Sequence, residues 1–132
     1  MSAAFALPPY ATALDMVVSG LHDGAPMIAM PYSTKVLGRP GFLHGGAISG
    51  LLEMAAVTAL HHALAARDAD GSFKQVNVTI DFMRGGTMQE SYAVGHVIRL
   101  GRTMANVEAR AWQDDPEKPM AVAQLHYLLK RG

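Results

Sequence analysis

The feature that most constrains this chain is a single long apolar helix, predicted over residues 47–66, in which Glu53 is the one formally charged residue. The segment is rich in Ala, Leu and Met, which are strong helix formers. Its length would also suit a membrane span. We favour the buried core of a globular protein, because the segment contains Glu53, His61 and His62 and many small alanines. A helix that is apolar on most sides needs cover on most sides.

After this helix the sequence changes to the period of a strand. Gln75–Met83 alternates apolar with polar residues, which predicts a strand with one buried face; its apolar members are Val76, Val78, Ile80 and Phe82. Further strands are predicted over Ser91–Arg99, Met104–Gln113 and Met120–Leu129. Short turns separate them, so neighbouring strands are expected to be antiparallel.

Before the long helix the pattern is less regular. Apolar residues at helical spacing predict a short helix over Tyr10–Leu21, followed by a turn at His22–Gly24. Met27–Val36 is expected to be a strand interrupted at Pro31. The order of elements predicts one α+β domain over residues 1–132, with one helix layer on one antiparallel sheet. Because a single sheet covers only one side of the helix, we also expect a homodimer.

Charge and cysteine content exclude several classes of function. The chain has 11 basic and 11 acidic residues among 132, so nothing indicates nucleic acid or an anionic membrane as a partner. The absence of cysteine excludes disulfides, thiolate nucleophiles and cysteine-based zinc sites, and it fits a cytoplasmic protein. No secretory signal is expected in Met1–Pro9, and no metal site is expected among the histidines.

The chemistry is predicted to lie at the start of the long helix and two turns into it. Gly45 and Gly46 follow His44 where the helix begins. Backbone N–H groups at a helix start have no intrahelical partner, so they can stabilise a developing oxyanion. Glu53 lies among apolar neighbours. A carboxylate in such surroundings is expensive unless it is paired or lines a site, and there it can act as a general base.

These residues resemble a known family signature. His44-Gly45-Gly46, with Glu53 nine positions after the histidine, is similar to the motif of hotdog-fold acyl-CoA thioesterases of the phenylacetate-pathway type. The resemblance covers roughly residues 24–129 and includes the turn Leu100–Arg102. It implies a hotdog fold, a long central helix wrapped by an antiparallel sheet of five to six strands. It also implies hydrolysis of acyl-CoA to free acid and CoA, with no cofactor besides the coenzyme A of the substrate.

The resemblance assigns roles by position. Glu53 would be the general base or the nucleophile, and Gly45 would donate its N–H to the thioester oxygen. His44 would shape the site or hydrogen-bond near the oxyanion. Gln75 corresponds to a polar residue that aids the water, on a strand that comes from the other subunit in family dimers. A homotetramer is a further expectation.

Other positions are candidates for substrate binding. Gly46 belongs to the helix-start motif, and Arg84 and Arg102, at strand ends or turns, are suited to the phosphates of coenzyme A. Many relatives have Asn six residues before the histidine, where this chain has Gly38. The neighbouring Arg39 could pair with Glu53 or contact a substrate phosphate, and the sequence leaves both open.

Two alternatives to hydrolysis stay open. Gly50–Ala55 loosely resembles the central helix of hotdog dehydratases and hydratases. Those enzymes pair the carboxylate with a histidine about fourteen residues upstream, where this chain has Arg39, so the nine-residue spacing favours a thioesterase. The other alternative is an acyl-CoA-binding module without catalysis, which Gly38 in place of the usual Asn favours. The sequence does not determine the acyl group.

Overall fold

The computed structural model describes residues 6–66 and 72–130. The elements in chain order are helix α1 (Pro9–Ala13), strands β1 (Val17–His22) and β2 (Ala25–Met30), a 3₁₀ turn (Thr34–Val36), helix α2 (Gly45–Ala66), and strands β3 (Ser72–Phe82), β4 (Ser91–Leu100), β5 (Met104–Trp112) and β6 (Ala121–Lys130). The strands form one antiparallel sheet in the order β1-β2-β4-β5-β6-β3. Helix α2 packs across the middle of this sheet. The predicted hotdog architecture is confirmed.

Helix α2 can lie close to the sheet because the residues beneath it are small. Leu51, Leu52 and Leu60 are fully buried in this interface. The inner face of the sheet is formed largely by alanines with no exposed surface, namely Ala93, Ala109, Ala111, Ala121 and Ala123. A Cβ at Gly95 would lie 2.8 Å from the Ala55 carbonyl oxygen, so only glycine fits there. The helix has the length and hydropathy of a membrane span, but in the structure it is the core helix of the domain.

The helix predicted over Tyr10–Leu21 is wrong in its second half. Helix α1 ends at Ala13, and Asp15 takes a left-handed backbone conformation with φ of 60°. The next segment is strand β1, which pairs with β2 through a hairpin. Asp23 and Gly24 both have positive φ, as a two-residue turn between twisted strands requires. The turn was predicted correctly, but the Asp-Gly pair signals a hairpin rather than the end of a helix.

The strand predicted over Met27–Val36 is shorter than expected. Strand β2 ends at Met30, directly before the predicted interruption at Pro31. Residues Thr34–Val36 form a 3₁₀ turn, and the Ser33 side chain accepts a hydrogen bond from the Lys35 N–H at its start. A serine that caps a turn in this way gives the backbone an alternative to strand pairing.

Strand β3 differs from its predicted pattern in burial. It is an edge strand that pairs only with β6 in the sheet. A bulge between Gln75 and Asn77 breaks the alternation, and three residues predicted to be buried are exposed: Val76 at 51%, Val78 at 36% and Phe82 at 55%. Gln75 and Phe73 face the helix instead. The apolar side of β3 is therefore largely uncovered within one chain.

Replacing Gly95 with Ala tests the close approach of helix and sheet. We expect Gly95→Ala to lower the free energy of unfolding by about 1–3 kcal/mol, because the added methyl overpacks against helix backbone that cannot move alone. Gly45→Ala is the control, since its Cβ would meet only the Phe82 ring at an ordinary 3.8 Å. Urea denaturation of both variants measures the difference. Equal stability of Gly95→Ala and the wild type would show that the helix sits further from the sheet.

Candidate active site

Helix α2 begins with a cap supplied by His44. The His44 Nδ1 atom accepts a hydrogen bond of 2.8 Å from the Gly46 N–H, and the His44 carbonyl accepts from the Ile48 N–H. This arrangement makes His44 the N-cap and satisfies one of the unpaired donors of the first turn. It also fixes the tautomer, since the accepting Nδ1 leaves the ring proton on Nε2. A Cβ at Gly46 would lie 2.8 Å from His44 Nδ1, so glycine is needed for the cap.

Gly45 is the first residue of the helix and presents its backbone N–H. Among residues 6–66 and 72–130, no acceptor is paired with this N–H, whereas the next N–H is used by the His44 cap. Packing within the chain does not require glycine here, because an added Cβ would make an ordinary 3.8 Å contact with Phe82. The helix dipole adds partial positive charge at this point. The arrangement suits an oxyanion that approaches from outside the chain.

Glu53 is half-buried and is held by an amide. Gln75 Nε2 donates a hydrogen bond of 2.8 Å to Glu53 Oε1. Gln75 was predicted as a polar residue that aids the water, and the structure brings it into contact with Glu53. The Gln75 in contact belongs to the same chain, so this pair does not need the strand of a second subunit. A bulge follows directly after Gln75 in β3, and bulges are common beside active sites.

The structure places positions 38 and 39 close to the helix start. A Cβ at Gly38 would lie 3.0 Å from the His44 Cα, so a longer side chain there would disturb the helix cap. Arg39 does not pair with Glu53; its guanidinium carbon lies 4.4 Å from the centre of the Phe42 ring. Gly38 has no amide side chain, and the amide that meets the Glu53 carboxylate is that of Gln75.

Two tyrosines near Glu53 escaped the sequence interpretation. Tyr127 is fully buried on β6, and burial first and the Glu53 charge second raise its pKa well above the usual range. Tyr10 crosses the start of α2, where its hydroxyl donates to the Gly46 carbonyl at 3.4 Å. Its ring lies against Gly50, where a side chain would clash with it. Gly46 and Gly50 lie four residues apart on one face of the helix, and this spacing is the sequence signal that could have indicated an aromatic ring packed there.

The two predicted arginines lie at opposite ends of the sheet. The backbone N–H of Arg84 donates to the Met120 carbonyl at 3.2 Å. Next to Arg102, the Thr103 carbonyl accepts from the backbone N–H of Leu129 at 2.8 Å. Met120 and Leu129 mark the two ends of β6, which are about 30 Å apart at roughly 3.3 Å per residue. Arg84 and Arg102 of one chain therefore cannot bind the same phosphate group.

Gly45 and Glu53 are also far apart within one chain. Glu53 lies eight positions after Gly45, which is about 12 Å along the helix axis. Gly45 lies beside Phe82, while Glu53 is paired with Gln75, seven residues earlier on β3. The candidate residues of one chain thus form two separate groups, which we call the oxyanion half-site (around His44 and Gly45) and the carboxylate half-site (around Glu53 and Gln75).

The family of this chain follows from its sequence match. Residues 40–120, which include both half-sites, match the family described as the thioesterase superfamily. The chain belongs to the thioesterase superfamily. Its membership supports thioester hydrolysis as the general activity. No curated protein matches the chain.

Solved structures share the fold over nearly the whole chain. A protein from Chromobacterium violaceum is 31% identical, covering 92% of this chain and 83% of its own, with a TM-score of 0.72. A phenylacetic acid degradation-related protein from Ralstonia eutropha is 20% identical, covering 94% and 92%, with a TM-score of 0.79. A Bacillus halodurans protein solved with CoA is 18% identical, covering 93% and 79%, with a TM-score of 0.76. These likenesses place the chain in the hotdog thioesterase fold.

The cap at His44 gives a prediction that separates stability from chemistry. We expect His44→Ala to lower the free energy of unfolding by about 1 kcal/mol, because the Gly46 N–H loses its acceptor. His44→Asn restores an accepting side-chain oxygen and is expected to keep wild-type stability. Urea denaturation checks both. An equal loss of unfolding free energy in the two variants would show that the imidazole stabilises the protein by more than its cap. The rate of thioester hydrolysis by His44→Asn then measures any contribution of the Nε2–H group to the reaction.

Proposed function

We propose that this protein hydrolyses acyl-CoA thioesters to free acid and CoA. The observation that carries the proposal is the Glu53 carboxylate, held at 2.8 Å by Gln75 on a helix whose first N–H is open. A carboxylate poised by a neutral amide suits the activation of water. The open N–H at the helix start suits the carbonyl oxygen of the thioester. The Bacillus halodurans neighbour solved with CoA supports a CoA-type ligand.

The reaction can be written with these groups. Glu53 takes a proton from a water molecule, whose oxygen attacks the thioester carbonyl carbon. The negative charge that develops on the carbonyl oxygen is stabilised by a Gly45 N–H. When the carbon–sulfur bond breaks, Glu53 returns the proton to the leaving thiolate of CoA. Direct attack by Glu53, through a mixed anhydride that water then hydrolyses, uses the same groups.

The separation of the two half-sites argues for a homodimer. In the reaction, one N–H group contacts the carbonyl oxygen and the carboxylate contacts the water that attacks the same carbonyl carbon. Because each of these contacts is roughly 3 Å long, the N–H group and the carboxylate must lie within about 10 Å of each other. Within one chain the backbone positions of Gly45 and Glu53 are about 12 Å apart along the helix axis. Gln75 also holds the Glu53 carboxylate seven residues along β3 from Phe82, the residue beside Gly45. We propose that a twofold dimer joins the oxyanion half of one subunit to the carboxylate half of the other. The loop with Arg84 would then lie beside the oxyanion half, within reach of CoA phosphates.

The exposed edge of β3 supports the same dimer. It is an eleven-residue edge strand whose apolar residues Val76, Val78 and Phe82 are exposed. Long apolar edges with free backbone groups are a liability unless another strand covers them. Pairing of β3 with its copy would cover this edge and extend the sheet across both subunits. A tetramer of two such dimers, a cytoplasmic location and the phenylacetate-pathway type belong to the same proposal.

Removing the charge of Glu53 tests its role. We expect Glu53→Gln to lower kcat for a good acyl-CoA by about 10²–10⁴-fold, because no general base or nucleophile is left, with the melting temperature unchanged. Glu108→Gln is the matched control, since Glu108 is a surface carboxylate bound at 2.9 Å by Gln124 and should keep full activity. Thiol release over short, medium, long and aryl acyl-CoAs measures the rate. If Glu53→Gln hydrolyses acyl-CoA at the wild-type rate, Glu53 is not the catalytic carboxylate. If the wild type hydrates crotonyl-CoA and Glu53→Gln does not, while thioester hydrolysis is unchanged, the protein is a hydratase.

Mixing two inactive variants tests whether the site is shared. Gly45→Pro removes the backbone N–H at a helix position that proline tolerates well, whereas Gly45→Ala keeps the N–H. We expect Gly45→Pro and Glu53→Gln each to be inactive alone. After subunit exchange at equal amounts, about a quarter of the sites combine an intact Gly45 with an intact Glu53 from the partner, so about a quarter of the activity returns. No recovery after verified exchange would mean that each chain carries a complete site.

A further inference from the structure

The buried hydroxyl of Tyr127 has no role in the reaction described so far. Tyr127 has no exposed surface, and its hydroxyl oxygen has no hydrogen-bond partner among the described residues. Buried polar groups in proteins are nearly always hydrogen-bonded, so an exception calls for a reason. Phenylalanine would fill the same space in this core without that penalty. The hydroxyl is therefore retained at a cost to stability.

The surroundings of Tyr127 connect it to the carboxylate half-site. On the paired strands β3 and β6, Gln75 lies directly opposite Tyr127. Residues that face each other in an antiparallel pair share one side of the sheet, with Cβ atoms about 5 Å apart. Gln75 uses that side to bind Glu53. The Phe73 ring packs against the Tyr127 ring at nearly a right angle, with 5.7 Å between the two ring centres.

Glu53, Gln75 and Tyr127 thus form a polar cluster within an otherwise apolar interface between helix and sheet. Burial and the Glu53 charge both disfavour the phenolate, which keeps the hydroxyl protonated and able to donate. Gln75 occupies Oε1 of the carboxylate. A carboxylate accepts on both of its oxygens, so it can take a further donor. Catalytic hydrogen bonds that are long in the free enzyme often shorten when substrate binds.

We propose that Tyr127 is a positioning residue whose hydroxyl becomes the second donor to Glu53 when an acyl-CoA occupies the site. With donors on both oxygens, the carboxylate is held in one orientation toward the attacking water. Gln75 fixes it at rest, and Tyr127 completes its support during the reaction. This inference rests on the proposed thioesterase function, and it adds a residue that acts through Glu53 rather than on the substrate.

The test compares Tyr127→Phe with the wild-type full-length enzyme. We expect kcat for acyl-CoA hydrolysis to fall about tenfold, in line with a lost hydrogen bond to a charged group. KM should stay unchanged, because the hydroxyl does not touch substrate. The melting temperature should not fall and should rise if anything, because an unpartnered buried hydroxyl is removed. Tyr92→Phe is the control: its hydroxyl donates to Glu90, away from Glu53, and its loss should leave kcat unchanged.

A double variant tests whether the residues act as a unit. If Tyr127 and Gln75 support the same carboxylate, Gln75→Leu combined with Tyr127→Phe should lower kcat by less than the product of the single effects. An unchanged kcat in Tyr127→Phe would overturn the inference. So would a parallel fall of kcat and melting temperature, which is the signature of a structural role. Wild-type protein without thioesterase activity would overturn the proposed function itself, whereas an active wild type with an equally active Tyr127→Phe rejects only the role of Tyr127.

Discussion

The hydrogen bond between Gln75 and Glu53 is the interaction on which the candidate site depends. A carboxylate at the boundary of an apolar helix is unfavourable unless a donor meets it. Here the donor comes from a strand 22 residues later, at 2.8 Å. The bulge in β3 follows directly after Gln75, and it changes which later residues of the strand face the helix. One polar contact therefore links the position of the charge, the shape of the edge strand and the chemistry.

That contact is possible because the rest of the interface is small and apolar. Glycine at position 95 and a row of buried alanines let the helix lie close to the sheet. Close packing leaves few ways for the helix to shift, because interiors at this density transmit any displacement to their neighbours. The spacing of Gly45 and Glu53 along the helix is fixed in consequence. The same rigidity holds the residues around Gly45 and those around Glu53 in separate places along the helix.

Much of this organisation was readable from the sequence. The long helix, the strands β4, β5 and β6, the glycines at the helix start and the isolated Glu53 are local patterns, and each was located within a few residues. The strand at Val17–His22 was mistaken for helix, because apolar residues at positions 11, 14, 17, 18 and 21 fit a helical spacing. The left-handed Asp15 and the hairpin turn at Asp23-Gly24 overrode that spacing. Local hydrophobic periodicity could not weigh backbone conformation against strand pairing.

The sequence by itself determined the class of fold and the two features that carry the proposed chemistry, which are the helix start at Gly45 and the carboxylate of Glu53. Helix starts, periodicity and an isolated charge are properties of neighbouring residues, so they can be recognised locally. Only the tertiary structure decided which residues surround those elements. It placed Gln75 and Tyr127 beside Glu53. It also packed Arg39 against the Phe42 ring and placed Arg84 and Arg102 at opposite ends of the sheet. The physical reason is that these neighbours are set by strand order and register. Residues far apart in the chain become adjacent only when the whole sheet forms.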